Sequence, residues 1–105
     1  MQEDASRPRD VLRRERSRIV AFLAARGARE VRVFGSVARG EDDDRSDIDL
    51  LVALDGERSA GSELLEVLGL SVELSELLDA RVDVVTTRTL RPEVRELALA
   101  EAVAL

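Results

Sequence analysis

The spacing of apolar positions alternates between helical and strand periods along the chain. Leu12, Ile19, Phe22 and Leu23 share one face at helical spacing, which predicts a first helix starting near Asp10 as N-cap and stopping at Gly27. Residues 30–34 alternate, with Val31 and Val33 on one face, and predict a strand. Gly35-Ser36 breaks that strand, and 37–40 predicts a single helical turn closed by Gly40. The acidic run at 41–46 reads as a solvated loop. A second strand is expected over 47–54, with Ile48, Leu50, Val52 and Leu54 on one face and Asp47, Asp49, Leu51 and Ala53 on the other. Asp55-Gly56 ends it. A helix is expected over 62–79, with Leu64, Leu65, Leu68, Val72 and Leu78 among its apolar positions. Gly69 and Ser71 weaken its middle and leave two shorter helices as the alternative. Residues 81–86 predict a third strand, Val82 and Val84 opposite Asp83 and Val85. A last helix is expected over 91–104, Pro92 in its first turn and Val94, Leu97, Ala98 and Ala102 as its buried stripe.

The order is α-β-α-β-α-β-α, an α/β (α+β) chain with a small β-sheet packed against helices. The 105 residues fit one domain, expected over 10–105 behind a flexible tail at 1–9.

Composition narrows the chemistry. Cysteine and histidine are both absent, which excludes disulfides, thiol nucleophiles, zinc fingers and Ser-His-Asp triads. Any metal must take oxygen ligands, so Mg²⁺ is expected, with Mn²⁺ or Ca²⁺ as alternatives. A net charge of −6 and only two rings, Phe22 and Phe34, disfavour an extended nucleic-acid interface. No apolar run is long enough to span a membrane, and 1–9 lacks a signal-peptide core. A cytoplasmic protein is the expectation.

Two features carry chemistry. Period two puts Asp47 and Asp49 on one face of a strand anchored by Leu50 and Val52, so two hard oxygen ligands are rigidly aimed. Asp83, in an otherwise apolar strand, is the natural third ligand if its strand lies beside the first. Clustered carboxylates repel, by on the order of 4 kcal/mol per pair at about 4 Å and an effective dielectric near 20. A divalent cation relieves that repulsion; without one, raised pKa values are expected. The Gly35-Ser36 turn lets backbone and hydroxyl approach a phosphate, and Arg39 and Arg45 add positive charge nearby.

The run Phe34-Gly35-Ser36-Val37-Ala38-Arg39-Gly40-Glu41, followed by Ser46-Asp47-Ile48-Asp49-Leu50-Leu51-Val52, resembles the signature of minimal nucleotidyltransferases. These belong to the DNA polymerase β-like nucleotidyltransferase superfamily. The resemblance runs from Val31 to the last residue and implies the nucleotidyltransferase fold, with its small mixed sheet. It implies that Gly35 and Ser36 hold a triphosphate, that Asp47 and Asp49 bind Mg²⁺, and that Asp83 completes the metal site and helps activate the incoming hydroxyl. It further implies an antitoxin that transfers AMP from ATP to a tyrosine of a HEPN-type ribonuclease toxin. Two other readings stay open: an antitoxin acting by stoichiometric binding, and a small-molecule (antibiotic) nucleotidyltransferase. At 105 residues the chain is expected to lack the added substrate domain of the antibiotic-modifying or tRNA-modifying relatives. Homo- and hetero-oligomers are both compatible with its size.

Overall fold

A computed structural model describes residues 7–105. Four helices and four strands follow in order: α1 Pro8–Ala24, β1 Ala28–Phe34, α2 Gly35–Arg39, β2 Ile48–Leu54, α3 Ala60–Leu78, β3 Val82–Val85, α4 Pro92–Glu101 and β4 Val103–Ala104. The sheet order is β3-β2-β1-β4. β1 is antiparallel to β2 and to β4, whereas β2 and β3 run parallel and are joined by α3.

Helix α1 begins two residues before the expected Asp10. Pro8 occupies its first turn, where a missing N–H costs nothing, and Arg7 is the N-cap. Of the expected tail, Met1 to Ser6 lie outside the described residues. Leu12, Ile19 and Leu23 are buried as expected, together with Val11. They meet Ile48, Leu50, Val52, Val82 and Val84 from the sheet and Leu70, Leu74 and Leu78 from α3 in one core. A smaller cluster of Phe34, Leu51, Val85 and Ala98 fills part of the opposite face, beneath α4.

Two expectations need correction, and the choice between one helix and two at α3 is decided for one. Helix α3 is continuous, and it buries Val67, Leu70, Leu74 and Leu78. Leu64, Leu65, Leu68 and Val72, named among its apolar positions, are exposed, Leu65 by 72%. Ser71 does not break α3 because its hydroxyl bonds the Val67 carbonyl at 2.8 Å and accepts from the Val84 amide at 2.8 Å. Ser75 likewise accepts from the Val82 amide at 2.9 Å. Replacing Leu65 with alanine is therefore expected to change unfolding free energy by no more than about 0.5 kcal/mol, as for other exposed positions. Urea denaturation of the purified chain measures it; a loss of a core-like size, about 2 kcal/mol or more, would contradict this packing.

Helix α4 stops at Glu101, not at 104, and buries only Ala98 of the expected stripe; Val94 and Leu97 are exposed and Ala102 is partly buried. Ala102 turns extended, and the next two residues become β4. The acidic loop is not wholly solvated either. Asp42 is 3% exposed, and its carboxylate takes Arg9 at 3.0 Å while its carbonyl accepts from Arg7 at 2.9 Å. This latch ties the loop to the start of α1. An arginine partner is what lets a carboxylate sit away from water.

Candidate functional site

Register places the acids. β2 pairs with β3 as Ile48↔Val82, Asp49↔Asp83 and Leu50↔Val84. Parallel partners point the same way, so Asp49 and Asp83 stand side by side on one face. Asp47 lies two residues earlier, just before β2. It is exposed and paired with Arg81 at 3.0 Å.

The Gly35 turn meets this face from β1. Phe34 is the cross-strand neighbour of Asp49, so the next residue bends over the carboxylate. Gly35 has φ +77°, and a Cβ there would lie 2.3 Å from Asp49 Oδ2. No side chain fits in that space, and the left-handed backbone favours glycine independently. Gly40, φ +74°, then ends α2 with bonds from its own amide to Val37 and from Glu41 to Ser36, a Schellman pattern. Ser36 is partly buried in the first turn of α2.

The carboxyls are strained electrostatically. Burial first, then the charges of Asp83 and Asp47, push the Asp49 carboxyl up to about 6; Arg39 opposes this and Glu101 adds to it. Partial burial, then Asp47, raises Asp83. Arg39 donates Nε to Glu41 at 2.9 Å and Nη1 to Glu101 at 3.0 Å, contacts that hold its guanidinium above its ordinary range. Arg45 is exposed in the loop, and its carbonyl accepts from Arg81.

The donor set is suited to a hard divalent cation: only oxygens, two of them adjacent, both destabilised as anions by their surroundings. Among the described residues no three carboxylates converge closely enough to enclose an ion as they stand. Asp47 would have to turn from Arg81 to join the other two, a side-chain movement at an exposed position.

A separate cleft of about 580 Å³ opens toward the other end of β2, lined by Arg32, Ala53, Glu63, Thr86 and Arg88 among others. Glu63 and Arg88 already pair there at 2.6 Å. The cleft contains neither the Gly-Ser turn nor the aspartates, so the chemistry belongs with the carboxylates. Glu101 was not singled out by sequence reasoning, because nothing local marks it; only the sheet register brings it to Gly35.

The nucleotidyltransferase-domain family matches residues 13–105. The chain belongs to that family. A relative from Methanocaldococcus jannaschii, provisionally named a protein adenylyltransferase, is 38% identical over 86 residues, covering 82% of this chain and 88% of its own. The protein adenylyltransferase MntA of Thermococcus cleftensis is 39% identical over 77 residues, or 73% of this chain and 74% of its own. A solved structure provisionally described as a minimal nucleotidyltransferase superposes with TM-score 0.73 at 45% identity, over 92% of this chain and 95% of that one. The fold is shared further with a toxin-antitoxin crystallised with AMP-PNP, TM-score 0.69 at 21% identity, over 84% of this chain and 69% of that one. The chain is thus a nucleotidyltransferase with the mixed sheet of that fold, and no described helix is long and apolar enough to cross a membrane.

Proposed function

We propose that this nucleotidyltransferase is an antitoxin that transfers AMP from ATP to a tyrosine hydroxyl of a HEPN-type ribonuclease toxin, in the cytoplasm. The observation that carries the reading is the Asp49–Asp83 pair, set side by side under the Gly35 turn and short of positive charge. The adenylyltransferase names of the two relatives and the toxin-antitoxin fold likeness support the acceptor class.

In this reading Asp47, Asp49 and Asp83 hold Mg²⁺, which supplies neutralisation of the charge developing on the phosphates. Gly35 and Ser36 seat the triphosphate, and Arg39 faces its charge. The tyrosine oxygen attacks the α-phosphorus as the bond to the bridging oxygen breaks. Asp83 takes the hydroxyl proton, and pyrophosphate leaves. AMP on a toxin tyrosine adds bulk and negative charge, both hostile to RNA.

The test is mass spectrometry of a HEPN-type toxin, sought first in the product of the neighbouring gene, after incubation with this chain, ATP and Mg²⁺. An AMP adduct on tyrosine is expected, lost on adding EDTA and absent with Asp47→Asn plus Asp49→Asn. No adduct, or one that survives the double substitution, would refute the assignment. A second reading, neutralisation by binding alone, draws on the exposed Leu64, Leu65, Leu68 and Val72 stripe of α3. It predicts that the double variant still silences the toxin in full.

A further inference from the structure

Glu101 ends α4 and is supplied to the site by β4. The β1–β4 register pairs Arg32 with Ala104 and Val33 with Val103. Each pair sums to 136, so two further steps of the same register set Gly35 opposite Glu101. The contact is made: Glu101 Oε1 accepts from the Gly35 amide at 2.9 Å and from Arg39 Nη1 at 3.0 Å, and Oε2 accepts from Nη1 at 3.2 Å. The side chain is 17% exposed. It is fixed on both sides. Ala98, one turn earlier, is buried beneath the sheet, and the Leu105 amide bonds the Val31 carbonyl at 3.1 Å just after β4.

We propose that Glu101 is a positioning residue for the nucleotide, acting through Gly35 and Arg39. Gly35 approaches Asp49 more closely than any other residue type permits, so a small slide of the turn either collides with that carboxylate or abandons it. One acceptor on the turn's first amide fixes the slide. The same acceptor holds the long Arg39 side chain in a single direction, which removes rotamer freedom before a phosphate arrives. A carboxylate is the residue type that can take an amide and a guanidinium at once.

The inference rests on the nucleotidyl-transfer reading, and the experiment separates the two. The full-length ¹⁵N-labelled chain, parent and variants, is followed for amide exchange at Gly35, for Mg-ATP binding by titration, and for KM and kcat in AMP transfer. In Glu101→Ala the Gly35 amide is expected to exchange at least about tenfold faster, and Mg-ATP affinity to fall about tenfold, the size of a lost charge-assisted hydrogen bond. The loss is expected in KM for ATP more than in kcat. Glu101→Gln, whose amide oxygen still accepts from Gly35, is expected to restore the protection and most of the affinity. Should Glu101→Ala not fold, Glu101→Asp keeps the charge without the reach and carries the same signs at about threefold. Unchanged Gly35 protection, or equal or tighter Mg-ATP binding, in Glu101→Ala (or in Glu101→Asp where it takes that variant's place) overturns the inference; the tighter case would make Glu101 a stand-in for phosphate. A parent chain that binds no Mg-ATP would overturn the nucleotide reading itself, and this inference with it.

Discussion

Gly35→Ala is expected to reduce AMP transfer about 100-fold or more, the effect of displacing reacting groups by roughly 1 Å. The added Cβ would lie 2.3 Å from Asp49 Oδ2 and 3.2 Å from its Cγ. Asp49 must yield, because the turn is held by β1 on one side and by the Glu101 contact on the other. The carboxylate then leaves its place beside Asp83. The φ of +77° adds a backbone penalty that does not depend on the contact. Together these are expected to cost stability about 1–3 kcal/mol, so the variant remains folded. Urea unfolding and the transfer assay, run on the same preparation, check both halves. Transfer within threefold of the parent would show that the close approach has no role in the chemistry.

Asp49→Asn is expected to have the opposite effect on stability and an equally large one on activity. Removing one hard ligand is expected to slow transfer by about 100-fold or more, roughly 3 kcal/mol of barrier. The metal-free chain, however, should become more stable at neutral pH. Asp49 titrates near 6 when folded, above the roughly 3.9 of an unfolded aspartate. A raised carboxyl pKa means that the folded state binds the proton more tightly than the unfolded state. Its contribution therefore favours folding at low pH and is lost as pH rises through about 6.

Thermal unfolding in EDTA should show the variant several degrees above the parent at neutral pH. The gap should narrow as the pH falls through about 6 and close toward about 3, below the unfolded pKa, where the parent aspartate is protonated in both states. Asp42 and Glu63 act in the other direction, and the parent–variant comparison cancels them. Burial pushes Asp42 up, but hydrogen bonds from Arg9 outweigh it. For Glu63 the Thr86 hydroxyl leads, so both carboxyls are lowered overall and their contributions are lost in acid. Mg²⁺ should raise the parent's midpoint and leave the variant's nearly unmoved. A variant less stable than the parent in EDTA at neutral pH would contradict the crowding of charge at this site.

The strands and the acid face were legible because period two is unambiguous where polar and apolar residues alternate. Ile48, Leu50 and Val52 are buried, and Asp49 faces Asp83, as the pattern requires. Helix α3 was not legible in the same way. It is apolar nearly all round, so Leu64, Leu65, Leu68 and Val72 satisfy helical spacing as well as Val67, Leu70, Leu74 and Leu78 do. Periodicity cannot choose between two stripes; the position of the sheet chooses. β4 has two residues and follows an alanine-rich helix with no glycine or proline to announce its end. Asp42 looked like one of several solvated acids because its partner, Arg9, is distant in sequence. Glu101 was missed for the same reason: its partners are set by pairing, not by neighbours.

The serines of α3 have a consequence for how this chain meets other chains. β3 lies at one end of the sheet, where unpaired amides ordinarily invite another chain to add a strand. Here the Val82 and Val84 amides are already taken by Ser75 and Ser71. Strand addition is thereby closed off along the border that carries Asp83, and two copies cannot zip together over their own carboxylates. A protein brought to this side must engage through side chains and not through the backbone of β3.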